Sequence, residues 1–415
     1  MSDAKLICLV TPGHLTSTPR LLKEADALHA AGYRVHVVHG RNYPPNVALD
    51  AEIARRAPWG STAVDSLGGA GAFVRKVRRR LAQKLILRAP FATPETAARA
   101  HHADTLRLAA AAAALDAHYY IGHCLAGLAA AAFAAGRTGA KFGFDIEDFH
   151  EAETPEIALD PVQRTATRIL QATFLPRASH LTAAAPLIAE QYVQRYQLAP
   201  VPVLNVFPLA DAPATPVDPG PVSADRPARL YWFSQTVGPR RGIEEIIAIL
   251  GRMRTPAELH LRGHVAPSFQ RELTERAARA GVARPPVFLP FAASAEMTRL
   301  AAAADLGLST EQTEPLNRDI CLANKIFVYL LAGVPQLMSN TRAQSALAGE
   351  LGAAALVGDF ADPGAVARQL DDYFADPARA RAARAAAWQL GQTRFNWDHE
   401  KELVLRAVKK AAGKP

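Results

Sequence analysis

The sequence predicts an α/β protein made of two doubly wound parallel-sheet domains facing a cleft. Three observations carry this. Short β-branched runs alternate with helical patterns along the chain, as in parallel sheets with crossover helices. The alternation is interrupted at residues 208–228, "PLADAPATPVDPGPVSADRPA", a stretch too rich in proline for a central strand or an unbroken helix. The length, 415 residues with 49% hydrophobic composition, exceeds one ordinary core and suits two.

The elements follow in order. "KLICLVTP" is a first strand. "TPRLLKEADALHAAG" is a helix with Thr18 as N-cap, Pro19 at the first position and Gly32 at the stop. "YRVHVVHG" is the second strand. After a basic helix come the strands "AHYYIGH", "KFGFDIED", "HLTAAA" and "VPVLNVF", with a long helix near 156–176. Beyond the linker, "RLYWFSQ" opens a second series that continues through "AELHLRG", "VFLPF", "DLGLST", "QLMSN" and "AALVG". The boundaries are therefore 1–207, linker 208–228, 229–392, and a last helix at 393–415. No strand follows that helix, which is free to cross back onto the first domain.

Within the second series, "LANKIFVYLLAGVP" (322–335) is apolar around most of its circumference from Ile326 to Leu331, so it is a buried helix. Gly333 stops it and Pro335 leads into the next strand. An ammonium at its first turn, Lys325, opposes the helix dipole unless an anion sits between them. That suggests a phosphate site.

Three scattered cysteines, Cys8, Cys124 and Cys321, lack metal-ligand spacing and argue for reduced thiols in the cytoplasm. Neither a signal peptide nor a membrane-spanning run is visible. The net charge of +8 is concentrated in residues 73–91, "FVRKVRRRLAQKLILRAPF", where seven basic residues meet no acid. Val74, Val77, Leu81 and Leu85 recur there at helical spacing. Such a helix either packs on its own domain or lies on an anionic membrane surface. Nucleic acid is disfavoured because no aromatic residues interleave with the basic ones. Neither GxGxxG nor GKS/GKT occurs, which argues against nicotinamide and Walker-type nucleotide sites.

Gly238, Pro239, Arg240, Arg241 and Gly242 stand between the first strand and first helix of the second series. Glycines there let backbone N–H groups approach an anion, and two guanidinium groups can grip a diphosphate with forked hydrogen bonds. The rival is a solvated turn whose arginines cover the sheet edge. Lys325 lies on the matching side of a later unit, so one diphosphate would neutralise cations from two turns; its rival reading is a pair with Glu311, Glu314 or Asp319. In the first series His14, His123 and His150 fall just beyond strand ends, as structural residues or as groups that position a substrate hydroxyl. Asp145, Glu147, Asp148 and Glu151 surround His150, and Asp148 is placed to orient it or to bind an acceptor hydroxyl. A metal site lacks the nearby histidine partners it would need.

With these pieces placed, the chain resembles the GT-B glycosyltransferases, specifically the retaining family 4, over essentially its whole length. "TPRLLKEADALHAAGYRVHVV", "DIEDFHE", "VLNVFP", "SQTVGPRRGIEE" and "NKIFVYLLAGVP" look like that family's landmarks in order. The resemblance implies a C-terminal domain that binds a nucleoside-diphosphate sugar and an N-terminal domain that presents a saccharide or lipid-linked acceptor. Catalytic roles then fall to His123, Arg241 and Lys325. The donor side takes in Gly238, Arg240, Arg241, Gly263, Glu311, Glu314, Asn324 and Lys325; the acceptor side takes in His14, Arg20, Asp148, His150 and Glu151. Val328 stands where the family's second glutamate, which grips the ribose, is expected. Neither cofactor nor metal is implied, since Arg and Lys take the metal's part and the nucleotide sugar is a co-substrate. Retention is implied by the resemblance alone. The implied setting is cytoplasmic and peripheral at the inner face of a membrane, in polysaccharide or glycolipid synthesis. A sugar-nucleotide 2-epimerase and a non-catalytic scaffold in polysaccharide assembly are the alternatives.

Overall fold

A computed structural model describes residues 4–68, 70–154 and 160–415, and the chain divides into two compact units, 1–203 with 401–415, and 204–400. The first holds a seven-stranded parallel sheet: β1 (Leu6–Thr11), β2 (Arg34–Arg41), β3 (Gly60–Asp65), β4 (Tyr119–His123), β5 (Lys141–Ile146), β6 (Leu181–Ala183) and β7 (Val201–Pro202). The spatial order is β3-β2-β1-β4-β5-β6-β7. The chain thus winds outward from β1, then returns to pair β4 on β1's other side. Ligands of open parallel sheets bind at such a reversal, beyond the strands' carboxyl ends.

Helix α1 (Pro19–Ala30) begins after Thr18, but the Thr18 hydroxyl donates back to the carbonyls of His14 and Leu15 instead of capping the helix. The region between the second and fourth strands holds more than the basic helix. It contains α2 (Val47–Arg56), the edge strand β3, α4 (Pro94–His101) and α5 (Thr105–Ala113). "GSTAVD" carries too few β-branched residues to announce a strand, and its place at the sheet edge asks for little burial. The basic helix itself, α3 (Ala70–Leu85), packs on its own domain through part of its basic face. Arg75 lies 3.5 Å from Asp104, Arg79 donates to the carbonyls of Ala100 and His101, and Gln83 donates to Ala100. Its apolar residues Phe73, Val74, Val77 and Leu81 face solvent.

Helix α6 (Cys124–Thr138) is almost wholly buried against the sheet, at a distance only glycine allows: a Cβ on Gly127 would lie 2.5 Å from the Val10 carbonyl oxygen. The long helix expected near 156–176 is α7 (Pro161–Phe174); residues 155–159 lie outside the described residues. Helix α8 (Pro186–Tyr196) leads to β7.

The second unit holds six parallel strands: β8 (Ala228–Val237), β9 (Ala257–Val265), β10 (Val287–Leu289), β11 (Leu306–Ser309), β12 (Gln336–Ser339) and β13 (Ala355–Gly358), in the order β10-β9-β8-β11-β12-β13. Its reversal lies between β8 and β11. The crossover helices include α9 (Ile243–Leu250), α10 (Pro267–Arg279), α11 (Met297–Ala301), α12 (Leu316–Ile320), α13 (Asn324–Leu331) and α14 (Arg342–Leu351). Ile243, Ile246, Ile247 and Leu250 of α9 join Leu230, Trp232, Leu259 and Leu308 of the strands in one core. The proline-rich stretch groups with this unit rather than standing apart, since Val222 packs on that core and Arg226 pairs with Asp305 at 2.7 Å.

Helices α15 (Pro363–Phe374), α16 (Pro377–Thr393) and α17 (Trp397–Ala412) close the chain. From residue 401 onward the chain groups with the first unit, where the Lys5 ammonium donates to the Ala412 carbonyl and the Tyr33 hydroxyl to that of Gly413. No described helix is long and apolar enough to cross a membrane.

Candidate active site

In the second unit, β8 and β9 stay in register to Phe233–Arg262 and resume at Thr236–His264, so one extra residue bulges from β8 around Ser234. Opposite the bulge Gly263 has φ +140°, and a Cβ there would stand 2.3 Å from the Ser234 carbonyl oxygen. Only glycine fits. Gly263→Ala is expected to cost roughly 2–4 kcal/mol, read as a lower urea midpoint. A change below about 0.5 kcal/mol, the range of neutral surface substitutions, would show that the bulge yields freely.

The bulge turns the Ser234 hydroxyl toward the following loop, where it accepts from Arg241 Nη1 at 3.1 Å. That loop contains Gly238, half-buried, then Arg240 in the left-handed region at φ +60°, and Gly242 at φ +75°. The loop is tied to the segment after β11 by two bonds. Thr310 Oγ1 donates to the Arg241 carbonyl at 2.5 Å while accepting from Trp232 Nε1, and Arg318 Nη1 donates to the Arg240 carbonyl at 2.8 Å. Both sides of the reversal are thereby fixed to one another.

Lys325, in the first turn of α13, is 8% exposed. Its ammonium lies 2.9 Å from Glu311 Oε1 and 5.2 Å from the centre of the Trp232 ring. The pairing with Glu311 is thus realised, whereas Asp319 pairs with Arg342 instead. Burial would raise the Glu311 carboxyl, yet it is held below its usual range by Lys325 first, then by the charges of Arg318 and Arg241. Three cations from separate segments therefore act on one carboxylate. Glu314 and Asn324 are exposed nearby in sequence. Helix α13 is buried from Lys325 to Leu331, as its sequence predicts, because Tyr329 lies over Gly307 and donates to the Tyr231 carbonyl. Val328 is fully buried and offers no polar group to a ribose.

In the first unit, the reversal between β1 and β4 holds a buried charge network. Asp145 receives Arg20 through Nε at 2.5 Å and Nη2 at 2.8 Å, and also the Thr182 hydroxyl. Arg20 Nη1 donates to the Val203 carbonyl, so all three of its nitrogens are engaged. His123, with no exposed surface, faces Glu24 through Nε2 at 2.8 Å and Glu147 through Nδ1 at 3.3 Å, with Asp145 3.5 Å away. Burial alone would lower the His123 pKa, but hydrogen bonds to Glu147 and Glu24 and the charges of Glu24 and Asp145 raise it to about 10. At neutral pH it is an imidazolium.

The remaining first-unit candidates fall into separate groups. His14 donates through Nδ1 to Asp50 at 2.5 Å, while its Nε2 accepts from the N–H groups of Asn42 and Tyr43. Both ring nitrogens serve to join three loops. Glu151 is taken by Arg168, Arg195 and the Tyr196 hydroxyl. His150 is oriented by Glu153 at 2.8 Å, in a short 3-10 turn that follows β5, and the charge of Asp148 also acts on it. Its buried Nε2 has no partner in the described structure. The Asp148 carbonyl accepts from the Tyr192 hydroxyl.

Among the described residues, Glu24, His123 and Asp145 are close enough to hold a metal. The trio fits an ion poorly, since Arg20 grips both Asp145 oxygens and the imidazole already carries the positive charge that the carboxylates meet.

Arg318 and Glu24 belong to these two clusters, and the sequence reading passed over both. Glu24 lies one helical turn after Arg20, a spacing that places both on one face of α1. Arg318 carried no local signal.

No family model matches the chain, and no curated protein matches it. Solved structures do. The Anabaena protein HepE in complex with UDP and glucose superposes with a TM-score of 0.70 at 16% identity, covering 98% of this chain and 99% of that one. A glycosyltransferase from Rickettsia africae gives 0.69 at 10% identity, covering all of both chains. The chain has the GT-B fold. The GT-B arrangement of two parallel sheets is also found in a Listeria monocytogenes protein named as a UDP-N-acetylglucosamine 2-epimerase, with a TM-score of 0.54, 12% identity and coverage of 98% and 96%. The GT-B fold accordingly houses both kinds of protein.

Proposed function

We propose that this protein transfers a sugar from a nucleoside-diphosphate sugar to a saccharide or lipid-linked acceptor, with retention, in cell-surface polysaccharide or glycolipid synthesis. The observation that carries the reading is the position of two cationic segments at the β8–β11 reversal: Lys325, 2.9 Å from Glu311, and the Arg241 loop, tied to the segment after β11 by Thr310 and Arg318. Helix α9 directs its N-terminus to the same loop, an end that suits an anionic group. The binding of UDP and glucose by HepE supports a donor of this class.

Catalysis then rests on charge. As the sugar–oxygen bond breaks, negative charge grows on the leaving diphosphate, and Arg241 and Lys325 stabilise it without a metal. Arg318 positions the turn by holding the Arg240 carbonyl. Gly238, Arg240, Gly263 and Asn324 complete the donor side, with Glu311 and Glu314 as its hydrogen-bond acceptors. On the acceptor side, His123 would reach a sugar by releasing Glu147, the longer of its two bonds and the more exposed carboxylate. Asp148 and the free His150 nitrogen are the other acceptor contacts. Arg20, His14 and Glu151 act through the elements they hold. The setting is cytoplasmic and peripheral, with α3 laid on an anionic membrane.

A scaffold without catalysis has one observation in its favour: Lys325 is spent on Glu311 while Val328 supplies no ribose contact. The Listeria epimerase favours a second alternative, which would convert free donor with no acceptor present. Thermal unfolding with UDP, GDP and TDP at millimolar concentration separates these. A ligand at a hundred times its Kd stabilises by about 2.7 kcal/mol, which raises Tm by roughly 5–10 °C for a unit of this size. Absence of any shift would leave the scaffold, and a 2-epimer formed without acceptor would establish the epimerase.

A further inference from the structure

On the first unit a hollow of about 460 Å³ opens among α4, α6, α7 and the turn that follows α7. Its apolar wall is Phe133 edge-on to Phe174 at 5.2 Å, and its rim carries Arg99, Arg137 and Arg177 against one acid, Glu95. None of the three arginines forms an ion pair among the described residues. The hollow is separate from the charge network. It takes in Gly136 of α6, twelve residues beyond Cys124 and so about 18 Å along the helix from the His123 end.

The hollow adjoins α3. The exposed apolar residues of α3 run on through Leu87 and Phe91, each about half exposed, and Pro94 on the rim follows three residues later. Three residues span at most about 11 Å. Guanidinium groups are suited to forked recognition of phosphate, and aromatic walls to the carbon body it is attached to. We infer that this hollow binds the acidic headgroup of a phospholipid while α3 rests its apolar residues among neighbouring chains. The inference rests on the membrane reading of α3 given above and names where the lipid is held. A free phosphate would use the arginines but leave the phenylalanine wall and the adjoining apolar strip without purpose.

Two measurements keep the hollow and the helix apart. Dihexanoyl phosphatidylglycerol, held below its micelle concentration, is titrated into the full chain by calorimetry. One-to-one binding is expected, weakened at least tenfold in Arg137→Ala/Arg177→Ala and unchanged in Val77→Glu/Leu81→Glu. The second variant should instead lose sedimentation with phosphatidylglycerol vesicles. Equal lipid affinity in wild type and Arg137→Ala/Arg177→Ala overturns the headgroup site. Equal affinity for inorganic phosphate, or for dihexanoyl phosphatidylcholine, overturns the acidic lipid as its occupant. Vesicle binding that survives Val77→Glu/Leu81→Glu overturns the α3 reading, and the soluble-lipid titration then decides the hollow by itself.

Discussion

Arg241→Ala combined with Lys325→Met is expected to reduce kcat/KM for sugar transfer by at least about 10³-fold, with loss of detectable nucleoside-diphosphate binding. Each charge-assisted hydrogen bond to a diphosphate contributes roughly 1.5–3 kcal/mol, or about 10- to 150-fold. Both strengthen as the leaving group gains charge, so turnover should fall further than binding. Met is chosen at 325 because its unbranched chain preserves packing near Trp232 while removing the ammonium. Calorimetry on the two single variants and the double variant distinguishes a shared ligand from independent effects. If the double variant binds product diphosphate within twofold of wild type, the donor site lies elsewhere.

Asp145→Asn is expected to destabilise the first unit by about 3–5 kcal/mol, because removing one partner of a buried ion pair strands the other. Arg20 is 4% exposed and has no other carboxylate among its hydrogen-bond partners. At about 2–4 °C per kcal/mol this lowers Tm by roughly 6–20 °C. His123 adds a pH dependence of definite sign. With its folded pKa raised to about 10, its contribution is complete below the unfolded value and erodes as pH rises from about 6.5 toward 10. Asp145, held well below the ordinary carboxylate range by Arg20 against the effect of burial, contributes in the opposite sense and is lost only in acid. Wild type should therefore lose stability between pH 7 and pH 10, and His123→Gln should flatten that limb. An unchanged alkaline limb in His123→Gln would show that the imidazole is not the titrating group.

The two sheets were legible because each strand's apolar run is short, bounded and followed by a helix with its own stop, as in Leu6–Thr11 and Arg34–Arg41. The burial of α13 was legible from its composition alone. Edge strand β3 was not, since an edge asks little of its residues. Nor was the orientation of α3: its apolar stripe was visible, but helical periodicity gives a face without saying what lies on it. Arginines 75 and 79 found backbone carbonyls and Asp104 to pack against, which left the stripe in water.

The sequence by itself determined two α/β units, the glycine-rich turn after β8 and a lysine at the mouth of a buried helix, because local patterns set local structure. Only the tertiary structure decided which charges meet. Lys325 and Glu311 are fourteen positions apart and Arg20 and Asp145 are separated by 125, so their pairing depends on strand order at the two reversals. It likewise decided that His14 and Arg20, both placed near the site by sequence, hold loops and strands together instead of facing solvent, because burial obliges each of their nitrogens to find a partner within the chain.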